Sequence, residues 1–344
     1  MAKTKHGLPE TKGNYQLRGL ITGMKRENAF KNQTFTSGAE RNTLNFGVKT
    51  DSISTIYPTI EGFKSAKAYL FKQAEKKGDK PQQKVVDWDD RYNYEEEGFF
   101  VIGTRVGLEK DENNKNIITT LTGYDAAQDV HSGLEDGTSV FVKGKLDYSS
   151  FKNREGDKIQ SKKLLVDSVY LNSKEIDFED EEYVSLSDFQ QRLVYIGIDK
   201  DPKEDKFFVQ AKVVAQNSIE DVEFVIYDKP LANTLKRNLK PYTAITVSGS
   251  IKCSLDTEEV EEKKEVWGKE NSFTKVNKPV IREFVIEGAN PETIDVETYT
   301  QEILEEAVRK LNEEGLQKST GGSDQSWGKA NEKQVEVDED LLPW

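Results

Sequence analysis

Cations and aromatic rings fall together in two stretches of this 344-residue chain. Lys25, Arg26, Phe30, Lys31 and Phe35 share one run rich in Asn, Gln, Ser and Gly, closed by Arg41. Lys143, Lys145, Tyr148, Phe151, Lys152, Arg154, Lys158 and Lys162 share the other. Lysine and arginine neutralise phosphates, and flat side chains give bases a surface to stack on, worth roughly 1–3 kcal/mol per base. The two runs therefore suit an unpaired polynucleotide strand, provided the fold brings them to one face. A basic hairpin taken alone is as readily a solvated surface.

Alternation sorts the flanking residues. If Leu44, Phe46 and Val48 face a core, Arg41, Thr43, Asn45 and Lys49 face outward. By the same rule Val140, Val142 and Leu146 point inward and leave Phe141, Lys143 and Lys145 outside. An outward Phe beside two lysines is hard to explain by packing alone. Tyr69, Phe71, Trp88, Tyr92 and Tyr94 read instead as the core of an inserted segment. Trp267 and Phe273, on a long polar hairpin with Lys263, Lys264, Lys269 and Lys275, offer a second, weaker contact, offset by five glutamates between Glu258 and Glu265.

The elements that must hold these residues are short strands. Residues 15–24, 41–50, 54–62, 99–106, 116–123, 138–146 and 162–171 alternate or are rich in β-formers, and 125–134 is a helix candidate. Residues 63–98 exceed what a minimal barrel needs, and 63–77 could be helical. An internal echo follows. Tyr124-Asp125, a helix candidate and then TSVFVKGKL at 138–146 are matched by Tyr227-Asp228, a helix candidate at 230–239 and then TAITVSGSI at 243–251. Upstream, 192–198 and 207–216 resemble the first strands, and downstream 282–287 resembles 163–169.

Each copy has three strands, a helix and two strands, with a Gly in the fourth strand where a small barrel must coil sharply. That order predicts a mainly β protein: two OB-fold barrels in tandem with short helices, a C-terminal amphipathic helix and a disordered acidic tail. Other small barrels or a sandwich would also accommodate five short strands. The expected boundaries are residues 1–174 for a first barrel with an insertion near 63–98, 175–188 for an acidic linker, 189–315 for a second barrel with its helix, and 316–344 for the tail.

Composition narrows the function classes. Residues 1–170 carry 27 Lys and Arg against 24 Asp and Glu, and residues 171–344 carry 22 against 38. The net charge of −13 is thus segregated away from the basic runs, and screening limits its reach to about 8 Å at physiological salt. One cysteine, Cys253, and two histidines, His6 and His131, exclude an internal disulfide and a zinc site of the usual kind. No apolar run spans a bilayer, and residues 1–13 lack the apolar stretch of a signal peptide. A cytoplasmic protein without cofactor, metal or membrane partner is expected. Phosphate-loop, nucleophile-elbow and nucleotidyl-transfer motifs do not occur, so no enzyme is expected.

The chain ends VDEDLLPW, an acidic cluster, an apolar pair, Pro and a terminal ring. This end resembles the C-terminal tip of bacterial single-stranded-DNA-binding proteins, with Trp344 in place of the usual Phe and one extra Leu. With the duplicated unit, the whole chain resembles phage-encoded single-stranded-DNA-binding proteins of the tandem-OB kind. The resemblance implies a protein that coats and protects single-stranded DNA in replication, recombination and repair in the host cytoplasm. It also implies that Asp338, Glu339, Asp340, Leu341, Leu342, Pro343 and Trp344 recruit replication or recombination proteins. The competing reading is a replisome adaptor or helicase-loading scaffold that binds protein alone.

Overall fold

The computed structural model describes residues 4, 6–74, 81–152, 158–255 and 280–320. The protein is mainly β. Its first half holds β1 (Gly13–Thr22), β2 (Phe30–Thr34), β3 (Glu40–Asn45), β4 (Gly47–Lys49), β5 (Thr55–Ile56) and β6 (Thr59–Lys64). An insertion supplies β7 (Lys67–Lys72), β8 (Gln82–Asp87), β9 (Phe100–Val101), β10 (Thr104–Lys110) and β11 (Asn116–Leu121). Helix α1 (Gly123–Gly133), β12 (Ser139–Lys152) and β13 (Lys158–Leu171) complete it. The second half holds β14 (Leu186–Lys200), β15 (Phe207–Val214), β16 (Ile219–Ile226), α2 (Lys229–Asn238), β17 (Thr243–Leu255), β18 (Val280–Asp295) and α3 (Gln301–Thr320).

Strand pairing closes two circuits. β1 pairs β4, and β3, which leads directly into β4, pairs β6; β6 meets β13 in parallel, β13 pairs β12, and β12 returns to β1. In the second half β14 pairs β15, β15 pairs β16, β16 meets β18 in parallel, and β18 pairs β17, which returns to β14. Each circuit runs first, second, third, fifth, fourth, with a helix before the fourth strand. Inward residues such as Leu17, Leu44, Val140 and Val142 are fully buried in one, and Leu193, Phe224 and Val247 in the other. The echoed glycines occupy equivalent places. Both lie at a register shift in the fourth strand, and a Cβ on Gly144 or Gly249 would stand 1.9 or 1.8 Å from the carbonyl oxygen of Leu165 or Val285. Only glycine lets the strands approach so closely there.

The two circuits share a strand junction. β1 pairs β14 from Gly13↔Gln191 to Arg18↔Leu186, so the first strands of the two barrels lie side by side. Residues 6–12 strap the second barrel: Leu8 packs with Val214, Tyr299 and Leu304, and His6 Nε2 donates to the Ala215 carbonyl at 2.8 Å. The segment expected as a solvated linker is instead pinned along the first barrel. Ile176 N–H donates to Ser139 Oγ at 2.9 Å, Tyr183 Oη donates to Thr50 O at 2.8 Å, and β14 already begins at Leu186. Its two rings, Phe178 and Tyr183, find apolar contact that its acids do not need.

The insertion also departs from expectation. Residues 67–72 form strand β7, central in the sheet β8-β7-β9, where a helix was conceivable. Ala68 and Leu70 alternate inward with Val86, Trp88 and Val101, a period of two that six residues are too few to distinguish from a helical face. This layer docks on α1 through Asp125, which accepts from Arg91 Nε at 2.8 Å, Arg91 Nη2 at 3.0 Å and Tyr92 Oη at 2.6 Å. Against burial, which opposes its charge, these donors and Thr122 hold the Asp125 carboxyl below the usual range.

Candidate nucleic-acid interface

β2, β3 and β6 lie in register, Lys31↔Thr43↔Glu61 and Gln33↔Arg41↔Phe63. Because successive side chains alternate, Lys31, Arg41, Thr43 and Phe63 share the outer face while Leu44 and Ile60 fill the core. Phe35, just past β2, turns onto the same face. Its ring lies 5.9 Å from that of Phe63, and the Arg41 guanidinium sits 5.6 Å from one and 5.8 Å from the other. Arg41 Nη2 donates to Gln33 Oε1 at 3.3 Å. Arg41 Nε, shielded from solvent, meets no acceptor among the described residues. Phe63 is 53% exposed. A cation clasped between two rings sets a positive charge beside stacking surfaces.

The face continues onto β13 and β12. Lys163 pairs with Glu61 at 3.0 Å. Burial first, and Glu61 with it, pushes the Asp147 carboxyl up, against the pull of Lys145 and Lys163. Lys145 and Lys143 are exposed, and the Lys143 ammonium lies 5.1 Å from the ring of Phe141. The register sets Phe141 opposite Arg18 and Lys143 opposite Gln16 on β1, farther round the barrel from Phe35. Arg26 stacks over Tyr57 at 5.4 Å beside the exposed Lys25, and Lys49 lies 5.4 Å from Phe178 of the pinned segment.

Three expected site residues are withdrawn from such a face. Phe30 pairs with Leu44 and so points inward, stacked on His131 at 5.1 Å with 5° between the planes. Tyr148 is buried and Lys162 half-buried because the second barrel covers their end of the β12–β13 hairpin. The Lys162 ammonium lies 3.1 Å from the centroid of the Phe284 ring, and burial, with Arg282 nearby, pushes its pKa down to about 7. Lys158 remains exposed but pairs with the buried Glu220 at 2.8 Å. The side chains of Phe151 and Lys152, together with Arg154, Lys263, Lys264, Trp267, Lys269, Phe273, Lys275 and Asp338 to Trp344, lie outside the described residues.

The family profile of YorF matches residues 74–322. The chain belongs to the YorF family. Its structure is similar to the wild-type single-stranded DNA binding protein from Thermus aquaticus, at 11% identity and a TM-score of 0.38, covering 82% of this chain and 93% of that one. It is also similar to a deletion mutant of that protein, at 10% identity and a TM-score of 0.38, covering 82% and 94%. No curated protein matches the chain.

Sequence reading missed Phe63 and Lys163. The signal for Phe63 was present in the pattern Ile60, Gly62 inward and Glu61, Phe63 outward, but residues 63–77 were read as the start of a possible helix. On the second barrel the matching strand β15 carries Gln210 and Lys212, with Lys206 just before it, and each meets a carboxylate. Lys206 bonds Glu204 at 2.7 Å and Glu283 at 3.1 Å, Lys212 pairs with Asp221, and Gln210 donates to Glu223 at 3.0 Å. Burial, with a hydrogen bond to Glu283, pushes the Tyr227 hydroxyl up to about 12.

Proposed function

We propose that this chain is a single-stranded-DNA-binding protein that coats and protects unpaired strands without strong sequence preference. It acts by binding, with no catalytic step and no cofactor. The observation that carries this reading is Arg41 held between Phe35 and Phe63 on the outer face of the first barrel, with Lys31 beside it. Bases stack on rings in a sequence-tolerant way because every base has a π-face, while phosphates meet the cations. In this reading each circuit is an OB-type barrel, residues 1–174 bind DNA, 189–315 form the companion unit and 316–344 the recruiting tail. The final residues from Asp338 to Trp344 engage replication or recombination proteins in the cytoplasm, in keeping with a phage-encoded protein of replication, recombination and repair.

Titration of fluorescent single- and double-stranded oligonucleotides at two salt concentrations tests the reading. Tighter binding to single strands that weakens with salt supports it, since release of counterions accompanies phosphate neutralisation. Equal affinity for duplex, or none for either, overturns it in favour of a scaffold that binds only protein.

A further inference from the structure

The insertion sheet has two unlike faces. Ala68, Leu70, Val86 and Val101 bury one against Trp88 and the start of α1. The opposite face, by strict alternation and register, carries Tyr69 opposite Val85 and Phe71 opposite Phe100. Tyr69 is 57% and Phe100 46% exposed. Among the described residues the charged pair of that face is Lys67 with Asp87, bonded at 2.6 Å. An exposed apolar patch on a folded chain marks a contact surface.

We infer that this face is a second stacking platform for the same single strand, a proposal that rests on the reading of the first barrel as a DNA-binding face. Three arguments select bases over a protein partner. The first is size: side chains on three short strands cover on the order of a few hundred Å², whereas a stable protein interface buries about 800 Å² on each partner. The second is chemistry, because Tyr69, Phe71 and Phe100 are rings on neighbouring positions, and residues two apart on one strand stand about 6.6 Å from each other. That spacing suits successive bases of an extended strand, as on other sheets that stack two or three bases on exposed aromatics. The third is continuity: Phe63, which shares Arg41 with Phe35, lies at the end of β6, and the chain enters β7 at Lys67 after Lys64, Ser65 and Ala66. The platform supplies rings, while Arg41 and Lys31 of the first face and Lys64 after it supply cations. Lys64 itself is shared with Glu40 at 3.6 Å.

The test uses the full chain with fluorescent oligo(dT) of two lengths. Tyr69→Ala with Phe100→Ala, both on exposed positions, should weaken binding of the longer oligonucleotide by at least about tenfold and shorten the occluded site. The dependence on salt should stay unchanged, since no cation is removed. Phe100→Trp should retain affinity and report the contact directly, by quenching of the new indole when oligo(dT) is added, measured as the excess over the quenching of the wild-type protein. If the wild-type protein binds single strands but the double variant keeps its affinity and site size, and Phe100→Trp shows no excess quenching, the platform is refuted while the first-barrel reading stands. If the wild-type protein fails to bind at all, both are refuted.

Discussion

The outer faces of the two barrels can be compared strand for strand, because the circuits run in the same order, although β2 and the insertion sheet have no counterpart in the second. On β2, β3 and β6 of the first barrel, Arg41 is surrounded by rings and an amide, and its Nε meets no acceptor among the described residues. On the second, Lys206 just before β15 and Lys212 on it are held by Glu204, Glu283 and Asp221. Hydrogen bonding to Glu204 is the main reason the Lys206 ammonium is held well above its usual range. A cation already matched by a carboxylate gains little from a phosphate, since the new contact must replace the old one. Under the proposed reading, the barrel supplies a surface, and cations not already matched by carboxylates decide which surface takes a strand.

The largest effect that would break this comparison is expected on the first face. Phe35→Ala, Arg41→Ala and Phe63→Ala combined should weaken single-strand binding by about 100-fold or more, counting two lost stacks and one phosphate contact. Lys206→Ala with Lys212→Ala on the second face should change affinity less than about twofold. Equal losses from both sets, measured by fluorescence anisotropy, would erase the distinction.

The junction between the faces gives the next effect. Burial, with Arg282 nearby, pushes the Lys162 pKa down to about 7 in the folded protein, against an ordinary value of 10.5. Between those values the unfolded chain binds the extra proton, so this group makes the protein more stable as pH rises through 7 and least stable below it. Wild type should gain on the order of 1–2 kcal/mol from pH 7 to pH 9 relative to Lys162→Met, read from denaturant melts of the two proteins at each pH. A constant difference between them would contradict the buried ammonium.

A smaller effect is expected directly across the hairpin from Lys162. The Tyr148 hydroxyl is buried without a hydrogen-bond partner among the described residues. Removing an unsatisfied buried hydroxyl relieves its desolvation cost, so Tyr148→Phe should stabilise the protein by about 1 kcal/mol. Destabilisation in the same melts would show that the hydroxyl has a partner. The smallest effect belongs to the tail: deleting residues 338–344 should leave single-strand affinity within about twofold or tighten it, because acid repels the strand. A large loss in the same anisotropy assay would place that segment in the interface.

Much of the fold was legible because alternation is a local property. The strands through Leu17, Phe46, Val142 and Val247, the helices after Tyr124-Asp125 and Tyr227-Asp228, and the glycines at 144 and 249 all followed from patterns within ten residues or so. Arg41 was expected outward on its strand and Phe35 in the loop before it, and the structure sets the guanidinium 5.6 Å from that ring. What alternation along one strand cannot register is the arrival of another part of the chain. Tyr148 and Lys162 are paired across the hairpin, and nothing in their own sequence announces that Phe224 and Phe284 of the second barrel will cover them. Phe30 was misplaced for a related reason: its direction depends on the pairing of β2 with β3, which sets it opposite Leu44. Tyr69 was assigned to a core because the six residues of β7 do not show which of their two faces is covered.

Counterion release at a single position tests the central claim most directly. The slope of log affinity against log salt for oligo(dT) should fall in magnitude by about 0.7 in Arg41→Gln relative to the wild-type chain, the share of one phosphate contact on a single strand. An unchanged slope would mean that Arg41 meets no phosphate, and the face built around it would not be the one that holds the strand.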